Sequence, residues 1–167
     1  MVSELLDPAI PLCFDTSAVF GTTSGPALLH SVRARYPKRE LILPSWTVAE
    51  RVRQLRQDLG HKFDPSVVRG FLRDPNLKLK LSEFSAEVAL DSWVAVTAQL
   101  PGHWSWEGLP ESRRPCAQRC RAGDYLVAAI AAFNDAILVT DDKALSAQMR
   151  TFLKGCISSQ ELRASLS

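Results

Sequence analysis

IPLCFDTS, residues 10–17, begins as an apolar run of strand formers and stops abruptly at an acid followed by two hydroxyls. The run from Ile10 to Phe14 is too short for a stable helix and has no polar alternation. It therefore reads as a strand buried on both faces, feeding a polar turn at Asp15, Thr16 and Ser17. AILVTDD, residues 136–142, repeats the pattern: an apolar strand from Ala136 to Val139 that ends at Thr140, Asp141 and Asp142. Strands buried on both faces belong to parallel sheets, whose crossovers need helices.

The intervening sequence supplies those helices. A loop of small residues at Gly21 to Gly25 leads into helical spacing from Ala27 to Tyr36, which Pro37 ends. A brief strand, Leu41 to Leu43, precedes an amphipathic helix. Ser45 is its expected N-cap, Val48, Val52 and Leu55 mark its apolar side, Glu50 lies in its first turns, and Gly60 stops it. Asp64 followed by Pro65 opens a shorter helix to about Leu72, by cap and first-turn proline. Lys78 to Leu81 alternates as an edge strand would. Ser82 to Leu100 is again helical in pattern, Pro101 to Pro115 reads as a loop, and Cys116 to Phe133 reads as one long helix with an alanine-rich centre. A weak helix, Ala144 to Arg150, and a strand, Gly155 to Ser158, finish the chain. The alternation predicts a three-layer α/β/α sandwich with a mostly parallel sheet, its ligand site beyond the carboxyl ends of the strands. No repeat or composition break divides it, so residues 1–167 read as one domain with a longer helical and loop segment at about 61–119.

A chain of 167 residues that is 46% hydrophobic can bury a full core without disulfide staples. Its net charge of +2 is well short of a polybasic nucleic-acid footprint. Cys13, Cys116, Cys120 and Cys156 are too scattered for a disulfide framework, and MVSELLDPAIPLCF carries acids where a secretion signal would carry bases. The expectation is a reduced, cytoplasmic protein. No apolar run approaches the roughly 18 residues of a membrane span.

An Asp after a strand is, taken singly, a turn starter or a helix cap, and Asp142 is suitably placed to cap a helix beginning near Lys143. Asp15 and Asp142 nonetheless end two different strands, and two helical acids accompany them. Asp124 lies between Gly123 and the apolar run from Tyr125, where an unpaired carboxylate is costly. Glu50 follows Val48 and Ala49. Carboxylates gathered together take up protons unless a cation keeps them ionised, and an all-oxygen anionic set suits magnesium or manganese. Such an ion favours phosphate chemistry.

The ordered set PLCFDTSAVF, LPSWTVAERV, AGDYLVAAIAA and AILVTDDKAL resembles the motifs of the PIN-domain ribonucleases and covers most of the chain. The resemblance implies a parallel-sheet sandwich and a Mg²⁺- or Mn²⁺-dependent ribonuclease that leaves a 3′-hydroxyl and a 5′-phosphate. Its nearest implication is the toxin of a bacterial toxin-antitoxin pair, with a cognate antitoxin protein as partner and a homodimer as an assembly many relatives adopt. By motif position it places metal and catalytic roles on Asp15, Glu50, Asp124 and Asp142, with Asp141 adjacent to the last as helper or substitute. Thr16 or Ser17, together with Thr140, match the family's hydroxyl partners. The segment between Glu50 and Asp124 is longer than in the shortest toxin nucleases.

His103, Trp104 and Trp106, followed by Arg113, Arg114, Arg119 and Arg121, offer base-stacking faces and phosphate-binding cations, or else form a solvated loop with one Trp in the core. Arg119 and Arg121 are the nearer to Asp124 along the helix. Cys116 and Cys120, a helical turn apart and near His103, suggest zinc only weakly, since a second pair is missing. His30 and His61 show no partner in sequence. A response-regulator receiver fails because only 25 residues follow Asp142, and a haloacid-dehalogenase phosphatase would need an acid where Ser17 stands. The remaining rival is a catalytically silent PIN-type fold that binds RNA or acts as a scaffold.

Overall fold

The computed structural model describes residues 7–21, 25–98 and 122–166. Strands β1 (Leu12–Phe14), β2 (Leu41–Pro44), β3 (Lys80–Ser82), β4 (Ile137–Val139) and β5 (Gly155–Ile157) form one all-parallel sheet in the order β3-β2-β1-β4-β5. Leu12 pairs with Leu41 on one side and Ile137 on the other, which places β1 at the centre. The chain leaves β1 toward β2 and β3, then returns to the opposite side of β1 for β4 and β5. The direction of winding therefore reverses between β1 and β4. At such a switch point the connections leave in opposite directions and a crevice opens beyond the carboxyl ends.

Alternation along the strands divides the core. Leu12, Phe14, Leu41, Leu43, Ile137 and Val139 face one layer, where Leu28, Leu29 and Val32 of α2 (Gly25–Arg35) and Leu162 of α8 (Ser159–Leu166) pack. Cys13, Ile42, Leu138 and Cys156 face the other, against Val127, Ala128, Ile130 and Ala131 of α6 (Ala122–Phe133) and Leu145 and Met149 of α7 (Lys143–Met149). Helices on both faces of a parallel sheet make the three-layer α/β/α sandwich that the sequence predicts. Each strand residue from Leu12 to Phe14 and from Ile137 to Val139 is fully buried, worth roughly 1.5–3 kcal/mol for a large apolar side chain.

Several local readings change. Thr16 to Ser17 is not a turn but the start of a short helix, α1 (Thr16–Phe20), with Asp15 as its N-cap. Pro44 rather than Ser45 caps α3 (Ser45–Leu59), because the extended backbone of β2 runs through Pro44 and turns helical at once. The helix in the third quarter of the chain begins later than Ser82, which closes β3. It contains a π-helical stretch, Val88–Trp93, before α5 (Val94–Ala98). α8 carries no strong apolar stripe and was not anticipated; Leu162 alone of its residues is buried. Asp64 caps α4 (Pro65–Leu72) as expected, accepting from Ser66 N at 2.8 Å. His30 finds Asp74, Nε2 to Oδ2 3.4 Å. No described helix is long and apolar enough to cross a membrane.

Ala128 is fully buried between α6 and the sheet. Ala128→Leu is expected to overpack this layer and cost about 1–3 kcal/mol, read as a lower urea midpoint. An unchanged midpoint would mean that α6 does not pack closely on the sheet.

Candidate active site

Asp15 follows β1 directly, and its backbone N–H continues the ladder by donating to Val139 O at 3.0 Å. The side chain is therefore held where β1 and β4 run side by side. It is 4% exposed. Ser17 Oγ donates to Asp15 Oδ2 at 2.6 Å, and Thr140 Oγ1 donates to the same oxygen at 2.9 Å. Each hydroxyl also accepts a backbone N–H: Ser17 Oγ from Asp141 at 2.9 Å and Thr140 Oγ1 from Asp142 at 3.1 Å. The two hydroxyls thus stitch the end of β1 to the turn after β4, with both protons aimed at one carboxylate oxygen.

Burial pushes the Asp15 carboxyl above the ordinary aspartate range, while the Ser17 and Thr140 hydroxyls pull it down. Burial prevails. The balance is physically sensible, because hydrogen bonds to a charged group contribute roughly 1.5–3 kcal/mol each, whereas removing an ion from water costs several kcal/mol. Cys13, one residue earlier and fully buried, has its thiol pushed well up by the same desolvation, so it is an inert core group rather than a nucleophile.

Glu50 enters from α3. Thr47, one turn earlier and fully buried, ties that helix to β1 through Thr47 Oγ1 to Phe14 O at 3.2 Å. Thr16 Oγ1 donates to Glu50 Oε2 at 2.6 Å and orients the carboxylate. Asp124 lies in the first turn of α6, where the unpaired N–H groups of a helix favour an anion. Asp142 caps α7: Ala144 N and Leu145 N donate to its Oδ1 at 2.8 and 2.9 Å. The capping role open to Asp142 is real, and both cap bonds fall on a single oxygen.

Asp15, Glu50, Asp124 and Asp142 line one cavity of 340 Å³, completed by Thr16, Ser17, Gly21 and Gln54. Asp141 does not line it. Its two oxygens take Ser159 N at 2.8 Å and Ser159 Oγ at 2.7 Å, holding the start of α8. Thr140 stands behind Asp15 as its donor. Arg119 and Arg121 lie outside the described residues, as do the loop expected at 101–115, the expected helix start at 116–121 and the pair Cys116 and Cys120. Gln54, one turn beyond Glu50 on α3, is a lining residue that the sequence reading missed; its i, i+4 spacing from Glu50 was the available signal.

Among the described residues, no group of three or more His, Cys, Asp or Glu stands close enough together to form a ready-made ion cage. The lining still fits a hard divalent cation. Its ionisable donors are all carboxylates, and magnesium is commonly held by one or two of these with several waters rather than by an all-protein cage. The cavity has room for such waters, each taking about 30 Å³ of liquid volume. No protein-family model matches the chain, and no curated protein matches it.

The raised pKa of Asp15 makes a stability prediction. A carboxyl that holds its proton more tightly when folded than when unfolded costs stability as pH rises through the unfolded value of about 3.9 and up to the folded one. Asp15→Asn keeps an oxygen for both hydroxyls and removes that cost. In metal-free buffer at pH 7 the variant should melt higher than the parent, by about 2–4 °C for each kcal/mol relieved. The gain should shrink as pH falls through the raised folded value and be gone below the unfolded value of about 3.9. A variant that melts lower at every pH would show that the ionised carboxylate is net stabilising.

Proposed function

We propose that the protein is a Mg²⁺- or Mn²⁺-dependent endoribonuclease that hydrolyses phosphodiester bonds of single-stranded or loop RNA. The observation that carries this reading is the convergence of Asp15, Glu50, Asp124 and Asp142 from four separate parts of the chain on one cavity at the β1/β4 switch point. The motif resemblance to PIN domains supports the same conclusion and extends it to the toxin of a toxin-antitoxin pair, acting in the cytoplasm, with an antitoxin as protein partner and a homodimer as its assembly.

In this reading the carboxylates that line the cavity would hold the ion, one or two of them directly and the others through its waters, and the hydroxyls keep Asp15 and Glu50 in place. Bound there, magnesium or manganese supplies positive charge against the negative charge that develops on the phosphoryl group and the leaving oxygen. Thr16 keeps Glu50 turned toward the cavity. Ser17 and Thr140 occupy Oδ2 of Asp15, so that its charge is fixed in direction before substrate arrives. Such preorganisation avoids reorganisation during the reaction. A carboxylate facing the cavity can also accept a proton from the attacking water, provided it is within hydrogen-bond reach of it.

The decisive substitutions keep the fold and remove charge. Asparagine caps a helix about as well as aspartate, so Asp142→Asn preserves α7. Asp142→Asn and Asp124→Asn are each expected to lower cleavage of RNA in Mg²⁺ or Mn²⁺ by more than the roughly 10–100-fold that loss of an outer partner costs. Thr16→Val, which removes only the donor to Glu50, should fall within that roughly 10–100-fold range. Full activity in both Asn variants removes the proposed site. Wild-type protein that binds RNA and leaves it intact in either metal is instead a silent binding module on this fold.

A further inference from the structure

Trp46 is 42% exposed and stands one turn before a candidate catalytic acid. On α3, Trp46, Glu50 and Gln54 follow at i, i+4 and i+8, which places them along one side of the helix. Glu50 and Gln54 line the carboxylate cavity. Across from them stands the start of α6. A Cβ added at Gly123 would lie 1.8 Å from Trp46 Nε1 and 2.3 Å from its Cε2, so the pyrrole edge of the indole rests directly on the Gly123 backbone. The next residue is Asp124, itself a lining residue. The absence of a side chain at Gly123 is thus what allows an aromatic ring to stand beside the acids while much of it stays open to water.

Arg51 and Phe20 are the chain neighbours of the lining residues Glu50 and Gly21, and the Arg51 guanidinium lies over the Phe20 ring at 5.4 Å. An anionic strand with aromatic bases would meet a part-exposed indole and a guanidinium on the elements that frame one acidic cavity. Single-stranded nucleic acid is bound by that pairing of features, with stacking for the base and positive charge for the backbone.

We propose that Trp46 is a base-stacking subsite that takes one unpaired nucleobase beside the phosphate held at the cavity. The inference rests on the nuclease reading above and deepens it. It makes Trp46 a binding residue, acting on substrate position rather than on the chemistry.

The test uses the full chain with Mn²⁺ and a single-stranded RNA of about ten nucleotides that the wild type cuts, together with a series in which each position in turn is abasic. Trp46→Ala should raise KM by roughly tenfold or more, the scale of one lost base stack, with kcat little changed. Trp46→Phe, which keeps an aromatic face and guards against misfolding, should stay nearer the wild type. In the abasic series, wild type should lose the same factor at one position, and Trp46→Ala should lose nothing further there. The proposal is overturned if Trp46→Ala matches wild type on intact RNA, or if its defect persists undiminished on every abasic substrate. Wild-type protein that neither binds nor cuts any RNA overturns the nuclease reading itself, and the subsite with it. Cutting by wild type that ignores Trp46 overturns the subsite alone.

Discussion

The Asp15 carboxylate is almost entirely removed from water, and it is sustained by two hydroxyl protons that meet at Oδ2, one from Ser17 on its own helix and one from Thr140 across the sheet. An unpaired carboxylate at that depth would carry the full cost of lost hydration. The pair of hydroxyls reduces the cost and also fixes a geometry, because each hydroxyl takes a backbone N–H of the turn that follows β4. The parallel pairing of β1 with β4 and the direction of the Asp15 side chain are therefore one interlocked arrangement.

From that anchor the other acids acquire their positions by packing. Thr47 binds the carbonyl of Phe14 and sets α3 against the end of β1, which brings Glu50 within reach of Thr16. The alanines of α6 let that helix lie close on Cys13, Ile42 and Leu138, and Gly123 lets its first turn pass against the indole of Trp46. Small residues thus do for α6 what hydroxyls do for Asp15: they permit a close approach that places an acid at the crevice. Asp142 reaches the same crevice while capping α7, an economy available because a carboxylate has a second oxygen.

Neighbouring Asp141 and Asp142 show how finely the backbone divides identical chemistry. Asp142 lines the cavity and starts α7, whereas Asp141 turns away to hold Ser159 at the start of α8. Both are capping acids at the end of one strand, and only the direction of the chain separates them. A charged residue in the turn after a parallel strand has two helices within reach, and here each acid takes one.

Much of this was legible along the chain. Apolar runs ending at Asp15 and at Thr140 read as buried parallel strands, because they are too short for helices of their own and are bounded by polar turns, and helices between them imply the layered fold. The four acids were legible as a set for the same reason: two stand at strand ends and two beside apolar helical runs. Tertiary structure alone decided the rest. Asp141 could not be told from Asp142, since both stand in the same turn and only the docking of α8 gives Asp141 its partner. Trp46 and Gly123 are 77 positions apart, and no local pattern joins an exposed indole to a glycine on another helix. Periodicity reports which residues are buried and in which element; it carries no record of which buried elements meet, and the site is made where they do.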